Sequence, residues 1–259
     1  MNNPSTSMSG INRFYAKVYG FLGMGLALSA VTSYLALWVF PLQLATFINN
    51  FPLGFMGLWI VELILVMVLG VKAQKNPSLA IGGFIAYSLL NGVTLAVTLA
   101  FYDIGTVTQA FLTATLMFMG MSVVGVTTKR DLSGVGRAGQ AALIGVIIAL
   151  VLNIFILRSS AVELFISLLL VVIFAGITAY DNQSIRNIYV QTNGTAHSGI
   201  AVFMALKLYL DFINLFLAFF KNSLDGTTKK GKIDQLGLYQ NIWYGPAFSF
   251  RIPHDSLLE

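Results

Sequence analysis

Residues 204–217 read MALKLYLDFINLFL, eleven apolar or aromatic residues out of fourteen, with Lys207 and Asp211 one helical turn apart among them. On insertion scales a carboxylate at the centre of a membrane-spanning helix costs roughly 2.5–3.5 kcal/mol. A lysine escapes part of that cost by extending its ammonium toward the interface, but an aspartate is too short to do so. Asp211 is therefore expected to face the interior of a helical bundle.

The rest of the chain supplies such a bundle. Of 259 residues 57% are hydrophobic and 10% charged, with a mean hydropathy of +0.80, whereas a soluble domain carries about 25% charged residues. A helix needs about 20 predominantly apolar residues to cross the hydrocarbon, and runs of that kind fall near 19–40, 53–71, 79–101, 109–126, 138–157, 162–181 and 200–220. The expectation is an all-α membrane protein, a seven-transmembrane-helix bundle over residues 19–222, preceded by a polar lead at 1–18. The first run is too long for a removable signal peptide and lacks a cleavage pattern. Residues 223–259 mix aromatics with Gly and Pro without a sustained period, and read as an interfacial or disordered tail whose final Leu-Glu is a cloning remnant.

Composition removes several functions. With no cysteine there is no disulfide framework and no thiolate site, and the two histidines fall in separate loops, an unsuitable basis for a zinc centre. The net charge of +5 comes from fifteen Lys and Arg scattered over loops and termini, which argues for a lipid bilayer as partner and against nucleic acid. Among the 24 glycines, those in GFLGMGLALSA, IGGFIAYS and GMSVVG read as helix-packing faces, since small residues let backbones approach in lipid. No strand precedes them and no Lys-Ser or Lys-Thr follows, so they are not phosphate loops.

Basic residues bracket one side of the expected bundle: Arg13 and Lys17, Lys72 and Lys75, Lys129, Arg130 and Arg137, then Arg186. The positive-inside rule makes that side, and with it the N-terminus, cytoplasmic. Seven spans then carry Lys221, Lys229, Lys230 and Lys232 to the opposite side, which leaves the side of the tail open.

Two further acids lie in apolar runs. Glu62 stands within LWIVELILVMVLG, where a lipid-facing carboxylate is expensive; it is expected to face inward. Asp181 stands in GITAYDNQSIRNIY, where the sixth run turns polar. If the last two spans are antiparallel neighbours, Asp211 lies roughly 15 Å deep from their shared loop. Asp181 meets it only if DNQSIRNIY continues as helix inside the protein. The apolar positions Ile185, Ile188 and Tyr189 continue the helical pattern and support that continuation.

The stretches AYDNQSIRN and MALKLYLDFINLFLAFF closely resemble signatures of the Bax inhibitor-1 family, also called the transmembrane Bax inhibitor motif family. YSLLNGVTLA, TTKRDLSGVG and the environment of Glu62 extend the similarity over roughly residues 10–222. The resemblance implies seven spans and a pH-sensitive calcium leak through the membrane, with no enzymatic activity and no cofactor. The partners it implies are calcium as the permeant ion, protons and the lipid bilayer; similarity to bacterial-type members implies the bacterial cell membrane. It places a proton-sharing aspartate pair at Asp181 and Asp211, which would also be the transient calcium ligands.

In some bacterial members an arginine near the cytoplasmic end of the second span is thought to latch the aspartates. Here VLGVKAQKN offers Lys72 and Lys75 around Ala73, point charges without the planar fork of arginine. Lys207 is the other candidate for that role, and its position four residues before Asp211 puts the two on one helical face. Lys72, Lys207 and Glu62 are thus the residues expected to line or tune the pathway. A proton-coupled calcium antiporter could use the same acids in alternating access. An intramembrane aspartyl protease fits less well, because LYLD lacks the Gly-x-Gly-Asp pattern. A retinal protein fits least, because the third span carries no acid.

Overall fold

The computed structural model describes residues 8–51, 54–100 and 102–227, and all regular structure among them is helical. The helices are α1 (Met8–Tyr34), α2 (Pro41–Asn50), α3 (Gly54–Lys72), α4 (Pro77–Leu99), α5 (Ile104–Thr127), α6 (Ser133–Leu152), α7 (Ser160–Gln191) and α8 (Ser198–Thr227). Short π-helical turns, Leu35–Val39 and Asn153–Leu157, prolong α1 and α6. Among the described residues, six helices are long and apolar enough to cross a membrane: α1, α4, α5, α6, α7 and α8. The remaining run of the sequence reading, 53–71, corresponds to α3, a helix of 19 residues.

Local chemistry fixes the boundaries. Asn76 caps α4 by accepting the Leu79 N–H at 3.1 Å, with Pro77 in the first turn, where its missing N–H costs nothing. Asp103 caps α5 by accepting the Thr106 N–H at 2.9 Å, and Ser159 caps α7 through the Val162 N–H. The π turn after α6 ends where the Asn153 side chain bonds reciprocally with the Ser159 N–H and C=O, at 3.1 and 3.2 Å.

Helix α8 occupies the centre. It packs against α7, α5, α1 and α4, while α3 leans on α4 and α6 on α7. Leu206, Leu208, Phe212, Leu215 and Phe216 of α8 are all buried, as befits a helix enclosed by others. Phe111 and Phe118 of α5 meet Phe212 edge-on at 5.6 Å, the favoured aromatic geometry. The outer helices show the inverse pattern. Trp59, Ile60, Leu63, Ile64 and Met67 of α3, and Ile144, Ile147 and Ile148 of α6, are exposed, a continuous apolar surface of the kind that faces lipid.

Three polar contacts set the register of the antiparallel pair α7 and α8. Glu163 pairs with Lys221 and Asp181 with Lys207, and the Ser167 hydroxyl bonds to Asn222. The reversal between the helices uses the left-handed region at Asn193 and Gly194, with φ of 51° and 76°.

The structure departs from the sequence reading in two places and fulfils it in a third. Residues 41–50, expected as a connection, form α2, which begins at Pro41 and buries Leu44; ten residues with one inward position fall below what a span-length search detects. Residues 8–18 of the expected polar lead belong to α1, because Phe14 and Val18 are buried in the core. Helix α7 continues through the DNQSIRNIY stretch to Gln191, 32 residues in all. The tail from 228 onward lies outside the described residues, whereas 223–227 continue α8.

Of the glycines read as packing faces, Gly25, Gly83 and Gly125 make close approaches while Gly20, Gly23, Gly82 and Gly120 have open space where a side chain would stand. At Gly125 an added Cβ would lie 2.2 Å from the Ala179 carbonyl oxygen, and at Gly92 of α4 it would lie 2.6 Å from the Ser29 carbonyl. Both obstacles are helix backbone, which cannot swing aside. Gly125→Ala is therefore expected to force α5 from α7 and to lower stability by about 1–3 kcal/mol, the range for overpacking; Gly120→Ala should be close to neutral. Thermal unfolding of both variants in micelles measures the difference.

The Asp103 cap has a pH signature. The Thr106 hydroxyl and N–H hold its carboxyl below the ordinary value of 3.8, so its contribution is complete above that value and fades as pH falls through the lowered one. Asp103→Ala should cost about 1 kcal/mol at neutral pH and progressively less in acid. Unfolding of the two proteins compared at pH 7 and pH 3 reads both effects.

Candidate functional site

The buried acids of the described residues fall in two clusters on opposite sides of α8. The first lies between α7 and α8. Asp181 is 2% exposed and Asp211 3%, with Asp211 one helical turn beyond Lys207 on α8. The Lys207 ammonium makes an ion pair and hydrogen bond with Asp181 Oδ1 and stands 5.4 Å from the centre of the Tyr180 ring, within cation–π range. Asp211 Oδ2 is buried without a hydrogen-bond partner.

The ion pair of Lys207 is with Asp181, across the helix interface, whereas the sequence makes a pair with Asp211 on its own helix geometrically possible. The register explains the difference. Each step along α7 is matched by a step back along α8, so Asp181, ten residues before the end of its helix, is level with Lys207, nine residues after the start of the other. Asp211 lies about one turn, or 6 Å, deeper. A lysine side chain reaches a carboxylate at its own level on a neighbouring helix more readily than one displaced along its own axis.

Beside Asp181, Asn182 is fully buried and ties three helices together. Its Nδ2 donates to Ser122 Oγ of α5 at 3.0 Å, and its Oδ1 accepts from the Tyr19 hydroxyl of α1. Its backbone carbonyl accepts from the Tyr15 hydroxyl at 3.2 Å. The segment carrying Asp181 is thus held from two sides, and the carboxylate is presented to α8 by a fixed backbone.

The second cluster lies between α3, α4, α1 and α8. Glu62 of α3 is 6% exposed and faces inward, where its two oxygens accept from Thr94 Oγ1 at 2.6 Å and Asn91 Nδ2 at 3.3 Å. Asn91 Oδ1 accepts from the Tyr209 hydroxyl at 2.8 Å. That hydroxyl is also 2.6 Å from Ser29 Oγ, which reaches the Ser88 carbonyl at 2.7 Å. The chain of contacts runs from α3 to α1 through the central helix. Phe84 and Tyr87 pack edge-on against the Tyr209 ring and fix where its hydroxyl points.

The structure therefore brings Asp181, Asp211 and Lys207 together and sets Glu62 apart from them, across α8. Lys72 joins neither cluster; it is exposed at the end of α3, while the adjacent Ala73 is buried against the first turn of α8. Asn91, Thr94, Tyr209, Ser29, Asn182 and Tyr19 were not singled out from the sequence. Each is a common residue taken alone. The signal that could have found them is spacing, since Ser88, Asn91 and Thr94 recur every three residues in an otherwise apolar run and so share a helical face. No group of three or more His, Cys, Asp or Glu suited to a resident metal occurs among the described residues.

The ion pair between Lys207 and Asp181 has a measurable weight. Lys207→Met would leave Asp181 buried without its cation and is expected to cost about 3 kcal/mol, the low end for such a break because the lysine side chain retains 28% exposure. Removing both charges, Asp181→Asn with Lys207→Met, should recover most of the loss. Micellar unfolding of the single and double variants tests this; equal stabilities would mean that the contact has no net weight.

Comparison with known proteins agrees with this architecture. The family model described as inhibitor of apoptosis-promoting Bax1 matches residues 11–222, which takes in both clusters. A membrane protein of Streptococcus pyogenes serotype M1 is 48% identical over 209 residues, 81% of this chain and 91% of the relative. The protein YrjE of Lactococcus lactis is 42% identical over 208 residues, 80% of this chain and 88% of its own. The inner membrane protein YbhL of Escherichia coli K12 is 37% identical over 213 residues, 81% and 90% of the two chains. With a family match across most of its length and relatives this close, the chain belongs to the Bax inhibitor-1 family of membrane proteins.

Proposed function

We propose that this protein is a pH-sensitive calcium leak of the bacterial cell membrane, a seven-span bundle with a cytoplasmic N-terminus, gated by Asp181 and Asp211. The observation that carries the reading is a charge count. Two buried carboxyl groups share one partly exposed ammonium, and with both carboxyls ionised the group carries one uncompensated negative charge. A single proton makes it neutral. Lys207 already satisfies Asp181, and Asp211 Oδ2 has no donor among the described residues, so Asp211 is the position at which a proton completes the set. Like charges this close and this deep are costly, and losing the proton drives the cluster toward separation or toward an external cation.

Calcium suits that demand, being a hard cation that takes carboxylate, carbonyl and water oxygens. To engage Asp181 it must displace the Lys207 ammonium, which makes Lys207 the latch of the closed form. Glu62 supplies a further inward carboxylate at similar depth. The name of YbhL as an inner membrane protein supports the location, and the reading takes the 19-residue α3 as the seventh span beside the six candidate spans.

The test is calcium flux into proteoliposomes of the purified protein across a pH series. Flux should rise as the shared proton is lost. Asp211→Asn mimics the neutral carboxyl permanently, and Asp181→Asn removes the other member, so either change should flatten the pH dependence, whatever the residual flux. Lys207→Met should retain a pH dependence with a displaced midpoint. An unaltered profile in folded Asp211→Asn protein rejects the gate. Flux that saturates and is coupled to protons in fixed ratio assigns the same carboxyls to an exchanger.

A further inference from the structure

Apart from the two buried clusters, one polar cavity stands out, at the end of the bundle that carries most of the basic loop residues. It measures about 670 Å³ and is lined by the loop between α5 and α6, by the last turns of α7 and by Tyr15 of α1. Three cations line it: Lys129 and Arg130 from the loop and Arg186 from α7. The ion pairs among the described residues are Lys207 with Asp181 and Lys221 with Glu163, so none of these three cations is matched to a carboxylate. One acid, Asp131, also lines the cavity. Its oxygens accept from the Ser133 N–H at 2.9 Å and the Ser133 hydroxyl at 2.7 Å, in the turn that opens α6. The charge balance of the lining is thus two positive, with the negative group occupied.

The walls are held in place. Gln183 of α7 clamps the loop from both sides of its amide: Oε1 accepts from the Leu132 N–H at 2.8 Å and Nε2 donates to the Arg130 carbonyl at 2.8 Å. The Tyr15 hydroxyl is committed to the Asn182 carbonyl. The end of α5, the loop, α7 and α1 therefore form one preformed concavity, with its three cations contributed by two separate elements. Its volume is in the range of small-ligand pockets, and guanidinium groups arranged this way recognise phosphate oxygens in forked geometry.

We propose that this cavity binds a phosphate-bearing anion, the chemistry shared by the headgroup of an anionic phospholipid and by a free phosphate compound, with Arg130 and Arg186 as the principal contacts and Lys129 as a point charge. Basic pockets between spanning helices at a membrane face are suited to such headgroups. The site does not depend on the proposed calcium leak, since it shares no residue with the Asp181, Asp211 and Lys207 cluster. It does share α7 with it: Arg186 is five residues beyond Asp181, about 7.5 Å along the axis.

Binding to the full-length protein in an uncharged detergent tests the site, with short-chain phosphatidylglycerol, short-chain phosphatidylcholine and inorganic phosphate as probes. Phosphatidylglycerol should bind and phosphatidylcholine should not. Arg130→Gln and Arg186→Gln should each weaken binding about fivefold and their combination about 25-fold, from roughly 1 kcal/mol per cation at such a surface. Arg158→Gln, outside the cavity, should bind as the parent does. Phosphatidylglycerol binding far tighter than phosphate assigns the site to a lipid headgroup. Comparable binding of inorganic phosphate, with the same sensitivity to both arginine variants, assigns it to a soluble phosphate compound. Equal affinity for phosphatidylglycerol and phosphatidylcholine overturns the proposal. So does undiminished binding by the double variant with parental unfolding temperature, and Lys129→Gln provides the same comparison should the double variant fail to fold.

Discussion

The contact between Lys207 and Asp181 is the constraint around which the bundle is arranged. A lone charge in the hydrocarbon is expensive, and the cost falls only when a partner is held at the same depth. That requirement fixes how far α8 slides along α7, and the outer contacts of Glu163 with Lys221 and Ser167 with Asn222 obey the same register. Once the register is set, Asp211 has no choice of neighbour. It falls one turn beyond the ion pair, buried and, among the described residues, without a donor for Oδ2. Its unmatched state is a consequence of satisfying the pair.

Helix α8 separates this cluster from the one built on Glu62, and the two lie at nearly the same depth because Tyr209 and Asp211 are two residues apart. The Tyr209 hydroxyl serves Asn91 and Ser29 on the side of α4 and α1, while Lys207 serves α7. A shift of α8 along its axis therefore disturbs hydrogen bonds on both sides at once. Close backbone approaches at Gly92 against α1 and Gly125 against α7 leave little slack in the surrounding ring. The peripheral helices are held less. Helix α3 leans on α4, and the two hydrogen bonds of Glu62 to Asn91 and Thr94 are polar ties across that interface.

Much of this was legible in the sequence because lipid imposes so simple a rule on composition. Every hydropathy run became a helix, and the continuation of α7 past Asp181 followed from the apolar spacing of Ile185, Ile188 and Tyr189. The burial of Glu62 and Asp211 followed from cost alone. What was not legible depended on neighbours. Helix α2 buries one leucine, so nothing in its ten residues marks it before α1 and α4 are in place. Which aspartate Lys207 pairs with stays open in the sequence, which displays separation along one helix and hides separation across two. The donors to Glu62 were invisible singly, since a Thr or an Asn in a span becomes informative only when the acceptor it faces is known.

One signal in the sequence did encode the central place of α8. At about 100° per residue, Asp211 lies some 40° around the helix from Lys207, whereas Tyr209 lies about 200° away, on the opposite face. In a bilayer a polar group needs a neighbouring helix on its own side, so a segment polar on two opposite faces cannot sit at the rim. It must have helices on both sides. Helix α6, with its exposed Ile144, Ile147 and Ile148, makes no such demand beyond Gln140 and stands outside α7. Helix α3 makes it once, through Glu62, and has α4 on that side. The order of the helices from centre to edge thus follows the number of faces on which each carries a group that lipid cannot satisfy.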